Sequence, residues 1–448
     1  MTGQHAGERC IVVGAGIAGL AAAFRLHQAG FAVTVLEESG VVGGRMSCLR
    51  RDGWTINRAA GILPGSYRSI RGLITDVLGA HAVRTRQPRI GILRDGRVHV
   101  LRGSGPGSLV DAVRTDVLSA RSKLLMGRLA LDAARMSGSL SFDNLGLAQR
   151  FDTESAAAYA ERRLNSEIRE FVVEPLVRGL FASDADRVSV VDFFFSAVRF
   201  MGGGLLEFSG GIDFLCQAIA ERVDVRTGAR VTAVERSEQD ATVTWRHDGA
   251  EHTETVAGVV LAVPGPLVSS LYPKLDPVQR KILDSEFEFS TAYAAHFALD
   301  ERPDCAGMVV PVPRVEDPDL CVITLGHNMD PAAAPPGKGV IAGFWRHEWS
   351  VEHTGCPDDE LVTLMIPALE KVLPGVGGQI RFAHLERWYP SVLRSYPGMY
   401  RYVAEFVEHI DPDSRVQLAG DYLTASSTNG ASVAGEAAAA RIRRAVRS

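Results

Sequence analysis

Residues 10–20 read Cys10-Ile-Val-Val-Gly14-Ala-Gly16-Ile-Ala-Gly19-Leu20, an apolar run that breaks on glycines spaced G-x-G-x-x-G and reopens as an alanine-rich stretch through residue 29. The first part has the length and β-branched content of a buried strand, and the second has the composition of a helix. Strand, glycine turn and helix in that order open a βαβ unit that binds a dinucleotide. Gly14 permits the tight turn, Gly16 lets the backbone approach a pyrophosphate, and Gly19 lets helix and strand pack closely. Phosphates then meet the free N–H groups at the helix start, those of Ile17 and Ala18. A second strand, Phe31 to Leu36, ends on Glu37 and Glu38, and Glu37 falls 18 residues beyond Gly19. There a carboxylate accepts hydrogen bonds from a bare ribose diol. This fingerprint alone is shared by NAD and FAD sites.

With 448 residues, 46% of them hydrophobic, the chain has core enough for two or three domains or one large interleaved one. A net charge of -5 and a pI near 6.2 supply no basic field, which argues against nucleic acid as a partner. Cys10, Cys48, Cys216, Cys305, Cys321 and Cys356 are scattered and form no CxxC pair. That usage fits a reduced compartment and sets a cytoplasmic expectation. The first apolar stretch is the glycine-interrupted strand rather than a leader, and no apolar segment reaches the roughly 18 residues that span a bilayer. Amphipathic helices within residues 107–140 keep peripheral membrane contact open.

Beyond the opening unit, residues 107–200 change to Leu, Ala and Arg patterns with helical spacing. Residues 223–234, 241–246 and 256–263 read as strands separated by turns such as Asp248-Gly249. The tail returns to a strand at Arg415-Val-Gln-Leu-Ala419, then Gly420-Asp421 and a final helix from about Gly430. The expected fold is α/β, with a nucleotide domain of parallel sheet and β-meander assembled from residues 8–80, 206–270 and 391–448. Inserted residues 81–205, with a helical subdomain, and 271–390 form an α+β substrate domain.

Four stretches together resemble the flavin amine oxidase and protoporphyrinogen oxidase superfamily over nearly the whole chain. They are the glycine fingerprint with Glu37; Val42-Gly43-Gly44-Arg45; Gly210-Gly211-Ile-Asp-Phe-Leu with Val231 and Leu261-Ala-Val-Pro264; and Leu418-Ala-Gly420-Asp421 with Asn429-Gly430-Ala431. The resemblance implies non-covalent FAD, since no cysteine lies between Trp388 and Gly420 to make a cysteinyl link. It implies that Arg45 reaches the pyrophosphate past Gly43 and Gly44, that Val231 lies against adenine, and that Asp421 contacts the ribityl-pyrophosphate region. Pro264 belongs to the same expected set. Gly430 and Ala431 are expected to turn their N–H groups toward flavin N1 and O2, where charge develops on reduction.

The expected chemistry is removal of a hydride from a C–N or C–C bond of a small, largely apolar metabolite onto flavin N5, with O2 reoxidising the flavin. No metal is needed: His347 and His353 lie six residues apart, about 120° around an ideal helix, and do not form H-E-x-x-H. Many amine oxidases of the superfamily hold a water at N5 with a lysine, yet residues 286–298 contain none. Ser427 falls where such enzymes carry one tyrosine of an aromatic pair, and Asn57-Arg-Ala-Ala60 replaces Asp-x-Gly-Ala. Residues 186–190 and 396–402 lie closer to the protoporphyrinogen oxidase side, which favours desaturation. Trp388, Tyr396, Ser427 and Asn57 are the candidate pocket residues, with Tyr422, the Phe193–Phe195 run, Phe200 and Met201, and Trp345 with Trp349 as further aromatic candidates. The alternatives are a non-redox flavin isomerase and an FAD-binding protein without turnover.

Overall fold

The computed structural model describes residues 7–200 and 203–447; Met201 lies outside them. Strand β1 (Arg9–Val13), helix α1 (Ile17–Gln28) and strand β2 (Ala32–Leu36) follow in the expected order. Cys10 to Val13 are buried on both faces of the sheet, which is why the run is continuously apolar rather than alternating. A five-stranded, all-parallel sheet grows around β1 in the order Val416–Leu418, Gly258–Leu261, β1, β2, Asp224–Arg226. One sheet therefore collects strands from the beginning, the middle and the end of the chain. The last helix (Thr428–Ala445) lies against α1 at backbone distance, because a Cβ on Gly435 would sit 2.0 Å from the Ala18 carbonyl oxygen.

The segment 223–234, expected as one strand, is two. Asp224–Arg226 completes the parallel sheet, and Arg230–Arg236 begins an antiparallel meander with Ala241–His247 and Ala250–Val256. Gly228, at φ +69°, makes the turn between them.

The second large sheet has seven strands, in the order Ile380–Trp388, Ala292–Leu299, Gly339–Trp345, Leu320–Leu325, Val309–Pro311, Arg89–Arg94, Arg97–Arg102. One face carries Tyr293, Ala295 and Phe297 into a core with Trp345 and Trp349, whose rings lie 5.8 Å apart. Those two tryptophans are buried core residues. The opposite face, with Ala294, His296, Glu386 and Trp388, turns toward the nucleotide-binding half.

Helices fill most of residues 106–200. Phe193, Phe194 and Phe195 are all buried there, in ring contact with Tyr159 and Phe142, so the aromatic run builds this core instead of a pocket. The helix Tyr400–Glu408 also belongs to it: a Cβ on Gly146 would stand 2.8 Å from the Ala404 backbone. The stretch from residue 391 thus does not return directly to the nucleotide sheet, which it rejoins only at Val416. Arg178, fully buried, ties the helix Glu174–Phe181 to the second sheet. It pairs with Asp184 at 2.7 Å and donates to the carbonyls of Asp317, Pro318 and Leu320 at 3.0–3.1 Å.

Asp192, in the helix Val190–Phe200, accepts the Tyr400 hydroxyl at 2.7 Å, while Asp152 accepts the Tyr400 N–H at 2.8 Å. Burial pushes the Asp192 carboxyl up to about 7, against the hydrogen bonds from Ser395 and Tyr400. The folded state thus keeps a proton that the unfolded chain releases near pH 4. The stabilisation is complete below that pH and is lost as pH rises through about 7. Asp192→Asn, which keeps an acceptor for Tyr400, is expected to flatten the fall in melting temperature between pH 4 and 8. A fall unchanged from wild type would count against this origin.

Candidate functional site

The glycine turn between β1 and α1 is shaped by two close approaches. Gly14, at φ +97°, has the Ala262 carbonyl oxygen 2.6 Å from where a Cβ would stand, and a Cβ on Gly19 would lie 1.9 Å from the Gly14 oxygen. Gly16 is the reverse case: it caps α1 with no side-chain partner, and nothing lies within 4 Å of its Cβ position. The N–H groups of Ile17 and Ala18 therefore begin a helix whose N-terminus faces open space, which suits a phosphate. Glu37 closes the turn, its carboxylate accepting the Ala15 N–H at 2.7 Å and the Ser39 N–H at 2.9 Å. Its carbonyl accepts the Ala229 N–H at 2.8 Å, which brings the meander strand of Val231 to the same corner. Glu38 points elsewhere, in an exposed pair with Arg230 at 3.2 Å. Pro264 caps a helix that starts at Gly265, just past the Leu261 end of the parallel sheet.

Gly43 and Gly44 both have positive φ, and Gly43 donates to the Ala15 carbonyl at 2.8 Å, so the Gly-Gly-Arg loop lies against the glycine turn. Arg45 leaves this loop to meet Asp421 with two hydrogen bonds, 2.9 and 3.1 Å, and the Ser391 carbonyl at 2.5 Å. Asp421 is buried and follows Gly420, which packs under the Tyr422 ring. Three distant stretches thus converge on one guanidinium. The final helix differs in detail from expectation. The Ser427 hydroxyl caps it by accepting the Gly430 N–H at 2.9 Å, and the Ala431 N–H goes to the Ser427 carbonyl, also at 2.9 Å. Both expected donors are thus taken, and the N–H groups of Thr428 and Asn429 are the ones at the open first turn.

Of the candidate pocket residues, three hold the fold together. Ser427 is the helix cap. Asn57 accepts the Ile212 N–H at 3.0 Å and the Cys48 thiol at 3.2 Å, fastening the hairpin Cys48–Arg51/Trp54–Asn57. Tyr396 donates to the Glu286 carbonyl at 2.9 Å. Tyr422 is buried beside Gly420 and Asp421. Trp388 lies at the junction of the two halves: its Nε1 donates to the Arg58 carbonyl at 3.2 Å, and the Arg58 guanidinium stands 5.6 Å from its ring centre. Beside it is a cluster that the sequence reading missed. Arg58 grips Glu386 with two hydrogen bonds, one of 3.0 Å, and His384 Nε2 lies 2.8 Å from Glu386. The i, i+2, i+4 spacing of His384, Glu386 and Trp388 was the available signal, since it places all three on one strand face.

Residues 17–443 match the family described as flavin containing amine oxidoreductase. The chain belongs to that family. It is accordingly an FAD-dependent oxidoreductase, related to amine oxidases and to protoporphyrinogen oxidases. Among members of the flavin-containing amine oxidoreductase family, it is 21% identical to coproporphyrinogen III oxidase of Bacillus subtilis, covering 95% of each chain. A mitochondrial protoporphyrinogen oxidase of Nicotiana tabacum is 29% identical over 41% of this chain, a match that spans only 34% of the tobacco enzyme. L-amino-acid oxidase of Crotalus adamanteus is 28% identical over 57% of this chain and 50% of its own. Putrescine oxidase shares the fold with a TM-score of 0.76 at 19% identity, over 98% of this chain and 100% of its own. The family's flavin suits the residues present: an uncapped helix start, an acid at the end of β2, an arginine on the loop that follows, and buried Tyr422 and Thr424 hydroxyls beside Asp421 without partners among the described residues.

Proposed function

We propose that the chain is an oxidase with non-covalent FAD that removes a hydride from a C–N or C–C bond of a small, largely apolar metabolite, with O2 as acceptor. The observation that carries this reading is the convergence at Arg45: the Gly-Gly-Arg loop, Asp421 and the Ser391 turn after Trp388 meet there, so the nucleotide cradle and the substrate sheet share a wall. FAD held in that cradle would supply a hydride acceptor at N5 whose electrons O2 can take. The chain's own part is to bind and orient. The N–H groups at the start of α1 and the guanidinium of Arg45 would hold phosphate oxygens, Glu37 would hold the ribose diol, and the first turn of the final helix would favour negative charge at the ring. Trp388, fixed through the Arg58 carbonyl, gives the substrate side a flat apolar surface.

Within this reading, oxidation of a C–C unit in a conjugated substrate is favoured. Strand Ala292–Leu299 carries no lysine, and the match to a coproporphyrinogen oxidase extends over 95% of the chain. The test is an anaerobic absorbance titration of the holoprotein with amines, porphyrinogens and polyenes, followed by air. Bleaching near ~450 nm, expected of a flavin that takes up a hydride, with recovery and peroxide in air, supports the oxidase and identifies the bond type. Conversion of a compound without bleaching would replace it with the isomerase.

A further inference from the structure

Arg58, His384, Glu386 and His296 form a charged cluster on the sheet face nearest the Gly-Gly-Arg loop. Glu386 is only 7% exposed, and its carboxylate is enclosed by Arg58 from the segment after the hairpin and by His384 from its own strand. Burial opposes its charge, but the hydrogen bonds from His384 and Arg58 hold the carboxyl down at about 2. His296, on the neighbouring strand, faces His384 with ring centres 6.3 Å apart, and its Nε2 meets the Arg58 carbonyl at 3.1 Å. Burial, and then the adjacent His384, pushes His296 down to about 4, so it stays neutral. Arg58 and Glu386 are paired with each other. Among the groups that face one another here, His384 is the ring with a nitrogen to spare: its Nδ1 has no partner among the described residues.

The cluster is wired to the cradle through backbone. Arg58 N–H donates to the Ser47 carbonyl at 3.1 Å, and Ala60 N–H donates to the Arg45 carbonyl at 2.9 Å. Residues 58–60 therefore run alongside the loop that carries Arg45, so the cluster adjoins the cradle assigned to the cofactor. We infer that His384, acting through Glu386 and Arg58, is a positioning residue that couples uptake of one proton to reduction of the cofactor. With His384 neutral the cluster has no net charge; with Nδ1 protonated it is a monocation. Negative charge placed on the ring system by two electrons favours the monocation. Reduction thus draws a proton from solvent onto Nδ1, in addition to whatever proton accompanies the electrons to the ring, and reoxidation returns it.

This inference rests on the FAD reading, and its test needs no substrate. The holoprotein is reduced stepwise by dithionite with a reference dye between pH 5 and 9, the range that brackets imidazole titration. In wild type, the potential is expected to fall more steeply with pH across one window, by up to one extra proton per two electrons. His384→Asn and His384→Gln should remove that extra proton while leaving the protein yellow. Glu386→Gln, which removes the anion that favours imidazolium, should move the window to lower pH. Potential–pH plots of both His384 variants that superpose on wild type would overturn the coupling while leaving the FAD reading intact. A wild-type protein that cannot take up FAD would overturn both.

Discussion

Gly19→Ala is expected to yield a colourless, destabilised protein, whereas Gly16→Ala should yield a colourless one of ordinary stability. The difference lies in what each added methyl meets. At Gly19 it would stand 1.9 Å from the Gly14 carbonyl oxygen and 3.2 Å from the Ala262 side chain, so α1 must move away from β1. Such overpacking costs on the order of 1–3 kcal/mol or more, and it displaces the helix start as well. At Gly16 nothing lies within 4 Å, and the methyl projects into the space assigned to the pyrophosphate. The ratio of flavin to protein absorbance after purification, with the melting temperature, distinguishes the two effects. A yellow Gly19→Ala protein melting at the wild-type temperature would contradict the packing described here.

The largest effect on stability is expected for Arg178→Leu. The substitution leaves Asp184 with only Arg314, among the described residues, 3.4 Å away and half exposed, and strips a donor from the carbonyls of Asp317, Pro318 and Leu320 where the chain enters the strand Leu320–Leu325. Removing one partner of a buried, hydrogen-bonded pair costs roughly 3–5 kcal/mol. The cradle contacts none of these groups, so protein that still folds should remain yellow. Denaturant titration measures the loss, and a variant within about 0.5 kcal/mol of wild type, the range of an ordinary surface change, would show that the clamp contributes little.

The glycine turn, Glu37 and the Gly-Gly-Arg loop were legible in the sequence because most of their chemistry is local: Gly19 meets the Gly14 carbonyl, Gly43 meets the Ser47 backbone, and Glu37 holds the Ala15 N–H, although Gly14 also meets the distant Ala262 carbonyl. The return of Val416–Leu418 to the first sheet was legible for a related reason, since a short apolar strand ending in Gly-Asp has few other uses. Side chains whose role depends on distant partners were not legible. Ser427 has the residue type of a helix cap as much as of a pocket, and only the position of the helix start decides between them. Asn57 serves Ile212, 155 positions along the chain, and Arg58 serves Glu386, 328 positions along. Neither separation leaves a mark on local composition. The single strand expected at 223–234 failed on one residue, Gly228, whose left-handed backbone sends the two halves into different sheets.

The interleaved parallel sheet also governs when the protein can become active. β1 is made first, its neighbour Gly258–Leu261 emerges only after the helical insertion, and Val416–Leu418 comes last of all. At about 5–20 residues per second, the ribosome spends tens of seconds with an apolar strand edge on display and the Asp421 side of the cradle unmade. Cofactor capture therefore waits for the last strand and the helix after it, and a stop between Trp388 and the final helix leaves a long polypeptide with an almost complete substrate domain and only one side of its cradle.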